Sequence, residues 1–266
     1  MHKIFFIGIF LLFTVQVTAQ QTKKDRKLEK KQRINALIKQ EEEGVIAYSK
    51  HTVYGLKLTS DGYGGFIEIG RAKSIRKALL FQLDIGERKH PKEEKQTNPF
   101  IPTSPFIFGK INYFYPVKLG VQQQILLGNK SNKNGVSVTG NFGGGLSLGL
   151  LRPYYLEIND VTNANRKFIK YDSPDSVIFV SNVELANLSV AGTGLGRGWS
   201  DLKIVPGIYG KTSIRFDYGR FNEMVNALEV GLTAEFYSKK IPQLIYLKQR
   251  NLFFNAYISI LFGKRK

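Results

Sequence analysis

Apolar and polar side chains alternate at every second residue through most of the chain beyond residue 50. Over 135–157 the odd positions are mainly small or polar, with Gly, Ser, Thr and Asn. The even positions include the apolar residues Val136, Val138, Phe142, Leu146, Leu148, Leu150, Tyr154 and Leu156. Because successive side chains of a β-strand point to opposite faces, this period predicts a long strand with one apolar face.

The same period recurs along the chain, which predicts an all-β fold. It is found in 107–127, 204–218, 224–237 and 252–262, and in shorter segments around 56–58, 67–69 and 79–85. Together these segments predict an antiparallel transmembrane up-and-down β-barrel of eight strands, with the apolar face toward lipid. A soluble two-sheet sandwich is an alternative, although strands in globular proteins usually have about 5–6 residues. Division of the two long central segments would give ten strands, but the alternation keeps its phase through Pro116 and through 143–145.

The chain begins with the features of an export signal. A short basic opening precedes an apolar run from Ile4 to Val17, and small residues precede a cleavage point between Ala19 and Gln20. We therefore expect residues 1–19 to be a signal peptide rather than an uncleaved anchor, and the mature protein to lie in a bacterial outer membrane. With no cysteine in the chain, disulfides and a lipidated amino end are excluded.

Residues 20–47 form a charged segment with few apolar residues, which predicts a short periplasmic helix before a barrel over 48–266. With the amino end in the periplasm, an even number of strands returns the carboxyl end there. The periplasmic connections are then short and fall near 71–77, 128–134 and 219–223. Long outer connections fall near 89–105, 158–203 and 239–250, which is the asymmetry typical of outer-membrane barrels.

The inward faces of the predicted strands carry charges of both signs. These are Lys57, Glu68, Asp84, Arg88, Lys110, Lys118, Lys211, Arg215, Asp217, Glu229 and Glu235. Side chains fill the interior of an eight-stranded barrel, so mixed signs favour a packed polar network. A narrow gated pore or a small-ligand site is the alternative.

Little in the sequence indicates catalysis, and we predict no catalytic, cofactor-binding or metal-binding residue. His51 is expected at the periplasmic rim. His90 precedes Ser104 in an outer loop, a weak signal for a lipid-modifying enzyme. The glycine-rich run from Ala191 to Trp199 lacks the spacing of a phosphate-binding loop and is expected to be a flexible outer loop.

The net charge of +18 favours an anionic partner. In an exported protein, outer-membrane lipid and lipopolysaccharide are the expected partners, and nucleic acid is not. Many basic residues map to the predicted periplasmic rim, including Arg71, Lys73 and Lys77. An envelope protein could also bind the amino-terminal segment or the outer loops.

Two segments carry a resemblance to a known group of proteins. The chain resembles an uncharacterised family of Bacteroidota outer-membrane β-barrel proteins at Gly109–Tyr115 and at Gly143–Tyr155. The resemblance implies an outer-membrane location and supplies no catalytic residues. The sequence thus favours a non-enzymatic structural or interaction protein of the envelope over a narrow transport barrel, and a lipid-modifying enzyme ranks third.

Overall fold

The computed structural model describes residues 25–32, 34–36, 49–74, 76–97, 104–129, 135–159, 166–174, 189–219 and 224–265. Residues 25–32 and 34–36 are helical and lie within the segment predicted to be a helix. None of the described helical residues belongs to a helix long and apolar enough to cross a membrane. The predicted cleavage point between Ala19 and Gln20 lies outside the described residues.

The rest of the described chain is mostly β-structure. The strands are β1 (Lys50–Thr59), β2 (Gly62–Ser74), β3 (Lys77–Arg88), β4 (Lys95–Gln96), β5 (Phe106–Ile107), β6 (Asn112–Gly128), β7 (Ser137–Pro153), β8 (Tyr155–Asn159), β9 (Arg166–Lys170), β10 (Ser189–Gly192), β11 (Lys203–Asp217), β12 (Met224–Ile241) and β13 (Arg250–Arg265).

Eight of these strands form a closed barrel in the order β1-β13-β12-β11-β7-β6-β3-β2. Every neighbouring pair is antiparallel, and β1 closes the barrel against β13 with Leu56 opposite Ile260. The predicted eight-stranded up-and-down barrel is confirmed. The ten-stranded alternative is wrong, because β6 passes through Pro116 and β7 passes through 143–145 without a turn.

The two ends of the barrel differ, and we call them the turn end and the loop end. At the turn end, short connections join β2 to β3, β6 to β7 and β11 to β12. At the loop end, β1 joins β2 by a tight turn, whereas the other connections are long. The short connections at one end and the mostly long ones at the other agree with the predicted asymmetry.

The alternation seen in the sequence separates the inside of the barrel from the outside. In β1, the residues at 51, 53, 55 and 57 are buried and their neighbours are exposed. Glycines on the inner face make room for large side chains from the next strand: a Cβ at Gly55 would clash with the ring of Phe66, and one at Gly70 with the ring of His51. The interior therefore depends on residues without side chains at these positions.

Part of the long 135–157 segment departs from the predicted pattern. The strand ends at Pro153, and Tyr154 and Leu156, predicted to face outward, are buried. They pack with Ile158, Ile169 and Val190 in an apolar core formed with β5 and the three-stranded sheet β10-β8-β9. We call this unit at the loop end, with the connections that pack on it, the loop layer. The alternation of apolar residues continues into the loop layer because β8 is also a strand. The apolar face of β8 packs against other protein residues and not on the outside of the barrel.

Apolar clusters border the polar interior toward each end. At the loop end, Phe114, Tyr237 and Phe253 contact one another, with ring centroids 5.4–5.9 Å apart. Leu151, Val205 and Ile241 complete this cluster. Toward the turn end, the wall formed by β2, β1, β13 and β12 carries a second cluster, consisting of Val53, Phe66, Val225, Ala227 and Leu261.

Candidate functional site

Arg215 on β11 is the centre of the polar interior near the turn end. Its guanidinium donates two parallel hydrogen bonds to the carboxylate of Glu68, at 2.8 and 2.7 Å. The same guanidinium donates to Glu229, with Nε 2.8 Å from the carboxylate. All three side chains are at most 4% exposed. A buried guanidinium held by two carboxylates fixes strands on opposite sides of the barrel relative to each other.

Glu229 has further partners that satisfy its second oxygen. Lys211 lies 2.9 Å from it, and the hydroxyl of Tyr257 donates to it at 2.6 Å. Asn141 donates to the other oxygen at 3.3 Å. Together these contacts join β7, β11, β12 and β13 through one buried carboxylate.

A second group of charges lies nearer the loop end, around Glu235. Arg88 and Lys118 contact this carboxylate at 2.6 and 2.8 Å, and the Tyr237 hydroxyl donates to it at 2.8 Å. Lys118 also lies 3.9 Å from Asp84, which is paired with Lys57. Because Tyr237 belongs to the apolar cluster at the loop end, the polar network and that cluster are connected directly.

The structure brings together nine of the predicted interior residues in these two groups: Lys57, Glu68, Asp84, Arg88, Lys118, Lys211, Arg215, Glu229 and Glu235. Five are cations and four are carboxylates, so their formal charges nearly cancel. Asp217 lies at the turn end and pairs with Arg265.

Lys110 is placed differently from the prediction. It is buried, but it precedes β6 and lies at the loop end. Its ammonium group pairs with Glu93 and lies 4.0 Å from the centre of the Tyr113 ring, and its backbone forms an isolated β-bridge with Leu244. Burial lowers its pKa, and Glu93 opposes that shift. The sequence alternation assigned it to the interior because β6 was expected to begin earlier than Asn112.

His51 was missed as an interior residue. It is 3% exposed and its Nε2 lies 3.1 Å from Glu68, instead of at the solvent-facing rim. A signal was present in the sequence, because His51 shares the odd positions of β1 with Lys57. The buried hydroxyls of Tyr237 and Tyr257 extend the same network.

The glycine-rich run in 191–199 wraps around a cation. The backbone carbonyls of Gly194, Leu195 and Arg197 accept hydrogen bonds from Nη1 of the fully buried Arg152, at 2.9–3.2 Å. The guanidinium also stacks near the ring of Trp199, 5.0 Å away. A phosphate-binding loop presents N–H groups to an anion, so this loop has the opposite polarity.

His90 does not form the arrangement of an enzyme with Ser104. No hydrogen bond joins them within the described chain, and the Nδ1 atom of His90 accepts one from the backbone of Lys92 at 3.1 Å. Burial lowers the pKa of His90, and the nearby positive charge of Arg250 lowers it further. Among the described residues, no group of three or more His, Asp or Glu side chains is arranged to hold a metal ion.

No protein-family model and no curated protein matches this chain. Among solved structures, it is similar to the N-terminal β-barrel domain of Pseudomonas aeruginosa OprF, at 10% identity and a TM-score of 0.37, over 81% of this chain and 98% of that one. Neisserial surface protein A is similar at 10% identity and a TM-score of 0.37, over 82% and 96%. Ail, the attachment invasion locus protein of Yersinia pestis, is similar at 7% identity and a TM-score of 0.35, over 82% and 99%. Similarity this low carries no information about activity, ligand or partner.

Proposed function

We propose that this protein is an integral barrel of a bacterial outer membrane and acts as a non-enzymatic structural or interaction protein of the envelope. The apolar outer face of the closed barrel carries the proposal. Leu56, Leu146 and Phe254 are 71%, 65% and 72% exposed, and every barrel strand contributes such residues. A soluble protein rarely exposes a continuous apolar surface of this extent.

The edges of this apolar belt have the residues that membrane interfaces favour. Exposed tyrosines lie toward the turn end at Tyr54 and Tyr218, and Tyr63 and Trp199 are exposed toward the loop end. Aromatic side chains of this kind are enriched at both membrane–water interfaces. At the turn end, the exposed Arg71, Lys73 and Lys77 suit an anionic lipid surface.

The contents of the barrel support a structural role over transport. Paired charges fill the middle of the interior, and the ring cluster of Phe114, Tyr237 and Phe253 lies at the loop end. The loop layer has its own apolar core, so it can present a defined surface to an envelope partner. Cleavage after Ala19, a partner for the amino-terminal segment, and membership of the Bacteroidota family belong to the same proposal.

Planar-bilayer recording tests the closed interior. We expect the purified, refolded protein to give no current above the protein-free baseline, because side chains fill the interior of an eight-stranded barrel and the charges inside this one are paired. Incorporation is verified in the same sample by a boiled-versus-unboiled mobility shift, and a known porin serves as the positive control. Reproducible single-channel steps from the folded protein would contradict the structural role and favour a narrow pore.

A further inference from the structure

A cavity of about 330 Å³ opens at the loop end, beside the start of β13. It lies between the connection that follows β3, at Lys89 and His90, and the end of the connection from β12 to β13, at Lys248, with the first residue of β13, Arg250. The volume is in the range of small-molecule sites. The described residues that line it are separate from the two interior charge groups, and Asp61 connects the cavity to them through its contact with Arg88.

The cations of this cavity have no carboxylate partners. In the part of the chain that the structure describes, no ion pair involves Lys89, Lys248 or Arg250, and all three are exposed. Lys89 stands 5.3 Å from the centre of the Tyr63 ring, a cation–π contact that adds no negative charge to the site. Burial lowers the pKa of His90, and the positive charge of Arg250 lowers it further.

Among the described residues that line the cavity, Asp61 is the one with an acidic side chain, and that side chain already has partners. Its carboxylate lies 3.4 Å from Nε of Arg88 and accepts a hydrogen bond from the Thr59 hydroxyl at 3.1 Å. The remaining polar residues of the lining are neutral or basic. The charge of the site therefore favours an anionic ligand.

One wall of the cavity is apolar and continues onto the outer face of the barrel. Leu252 and Phe254 line the cavity and are also 46% and 72% exposed on the outward face of β13. Leu247 contributes a further apolar side chain from the loop layer. A ligand in this position would contact cations with one part and the apolar belt with another.

We propose that this cavity binds the phosphorylated headgroup of a lipid in the surrounding outer leaflet, with Lys89, Lys248 and Arg250 contacting the phosphate and an acyl chain lying against Leu252 and Phe254. The inference rests on the proposed membrane location, because lipid reaches the cavity only if the apolar face of β13 lies in a bilayer. Arginine and lysine are the usual phosphate-binding residues, and arginine can bind in a bidentate manner.

Calorimetric titration of the full chain, folded in maltoside micelles, tests the site. The ligands are dihexanoyl phosphatidic acid, inorganic phosphate, and dihexanoylglycerol, which lacks the phosphate. The variant is Lys248→Gln with Arg250→Gln, and the control is Arg166→Gln with Lys167→Gln, which removes the same charge from the exposed side of β9, outside the cavity lining. A second variant, Lys89→Gln, covers a failure of the double variant to fold, and the mobility shift on boiling verifies folding of each protein.

We expect the phosphatidic acid to bind wild type and the Arg166→Gln/Lys167→Gln control equally, and the Lys248→Gln/Arg250→Gln variant at least about tenfold more weakly, as for loss of charge-assisted hydrogen bonds. Equal binding by that folded variant, or equal binding of dihexanoylglycerol, would overturn the site. Inorganic phosphate binding as tightly as the lipid would show a soluble anion as the ligand and also overturn it. If wild type shows no mobility shift, the proposed membrane barrel itself is contradicted. The other outcomes contradict only the lipid site.

Discussion

Replacement of Leu146 by arginine is expected to lower the free energy of unfolding in a bilayer by about 2–4 kcal/mol, the cost of a cation on the lipid face of a barrel near mid-membrane. Leu146 lies in the middle of β7 and is 65% exposed. Replacement of Leu195 by arginine is the control. Leu195 is 68% exposed in the loop layer, and this change is expected to lower the free energy of unfolding by no more than about 0.5 kcal/mol. The comparison matches two leucines of nearly equal exposure, one on the barrel wall and one in a loop outside it.

Urea unfolding from phosphocholine vesicles, followed by tryptophan fluorescence and by the mobility shift on boiling, measures both variants. The chain has a single tryptophan, Trp199, which lies in the loop layer close to Leu195. Because Leu195 lies beside the fluorophore, the unfolding of the Leu195→Arg control is measured from the mobility shift on the gel. Equal, small effects of the two substitutions would mean that water covers Leu146, and the membrane assignment would fail.

Replacement of Arg215 by leucine is expected to cost about 3–5 kcal/mol, because it leaves buried carboxylates without their main cation. Glu68 would retain the contact with His51 alone, while Glu229 would retain Lys211 and Tyr257. The negative charge of Glu68 would therefore be less well compensated than that of Glu229. The same unfolding assay measures the loss.

A double variant separates the charge from the shape of the side chain. Arg215→Leu combined with Glu68→Leu removes the uncompensated carboxylate, and we expect it to recover at least half of the lost stability. Replacing a buried ion pair with apolar side chains of similar volume is often tolerated. Arg76→Leu, a change outside the interior, serves as the matched control. An Arg215→Leu protein as stable as wild type would show that the interior charges do not hold the barrel together.

The sequence predicts the barrel itself well, because one physical rule acts on every strand. Alternation places Lys57 inside and Leu56 outside, and the same rule applied to β7 separates Ser147 from Leu146. Mixed charges on the inner positions also predict pairing, since an isolated charge inside a narrow barrel would be too costly. The choice of partners, such as Glu68 for Arg215, depends on strand order and register, which the local pattern does not contain.

The loop layer could not be predicted for a related reason. Tyr154 continues the phase of β7, so a local pattern assigns it to the outer face, yet it packs beneath the sheet of β8, β9 and β10. Arg152 likewise gives no sign in the sequence that backbone carbonyls from 194–197 will surround it. Both depend on contacts between residues about 40 positions apart.

Labelling of single cysteines on whole cells tests most directly that the barrel spans the outer membrane with its loop layer outside. The chain has no cysteine, so Lys167→Cys in β9 and Lys73→Cys at the turn end each introduce one thiol at an exposed position. With a membrane-impermeant maleimide, we expect Lys167→Cys to be labelled on intact cells and Lys73→Cys to be labelled only after the outer membrane is permeabilised. Labelling of Lys73→Cys on intact cells, or protection of both thiols until permeabilisation, would contradict this placement.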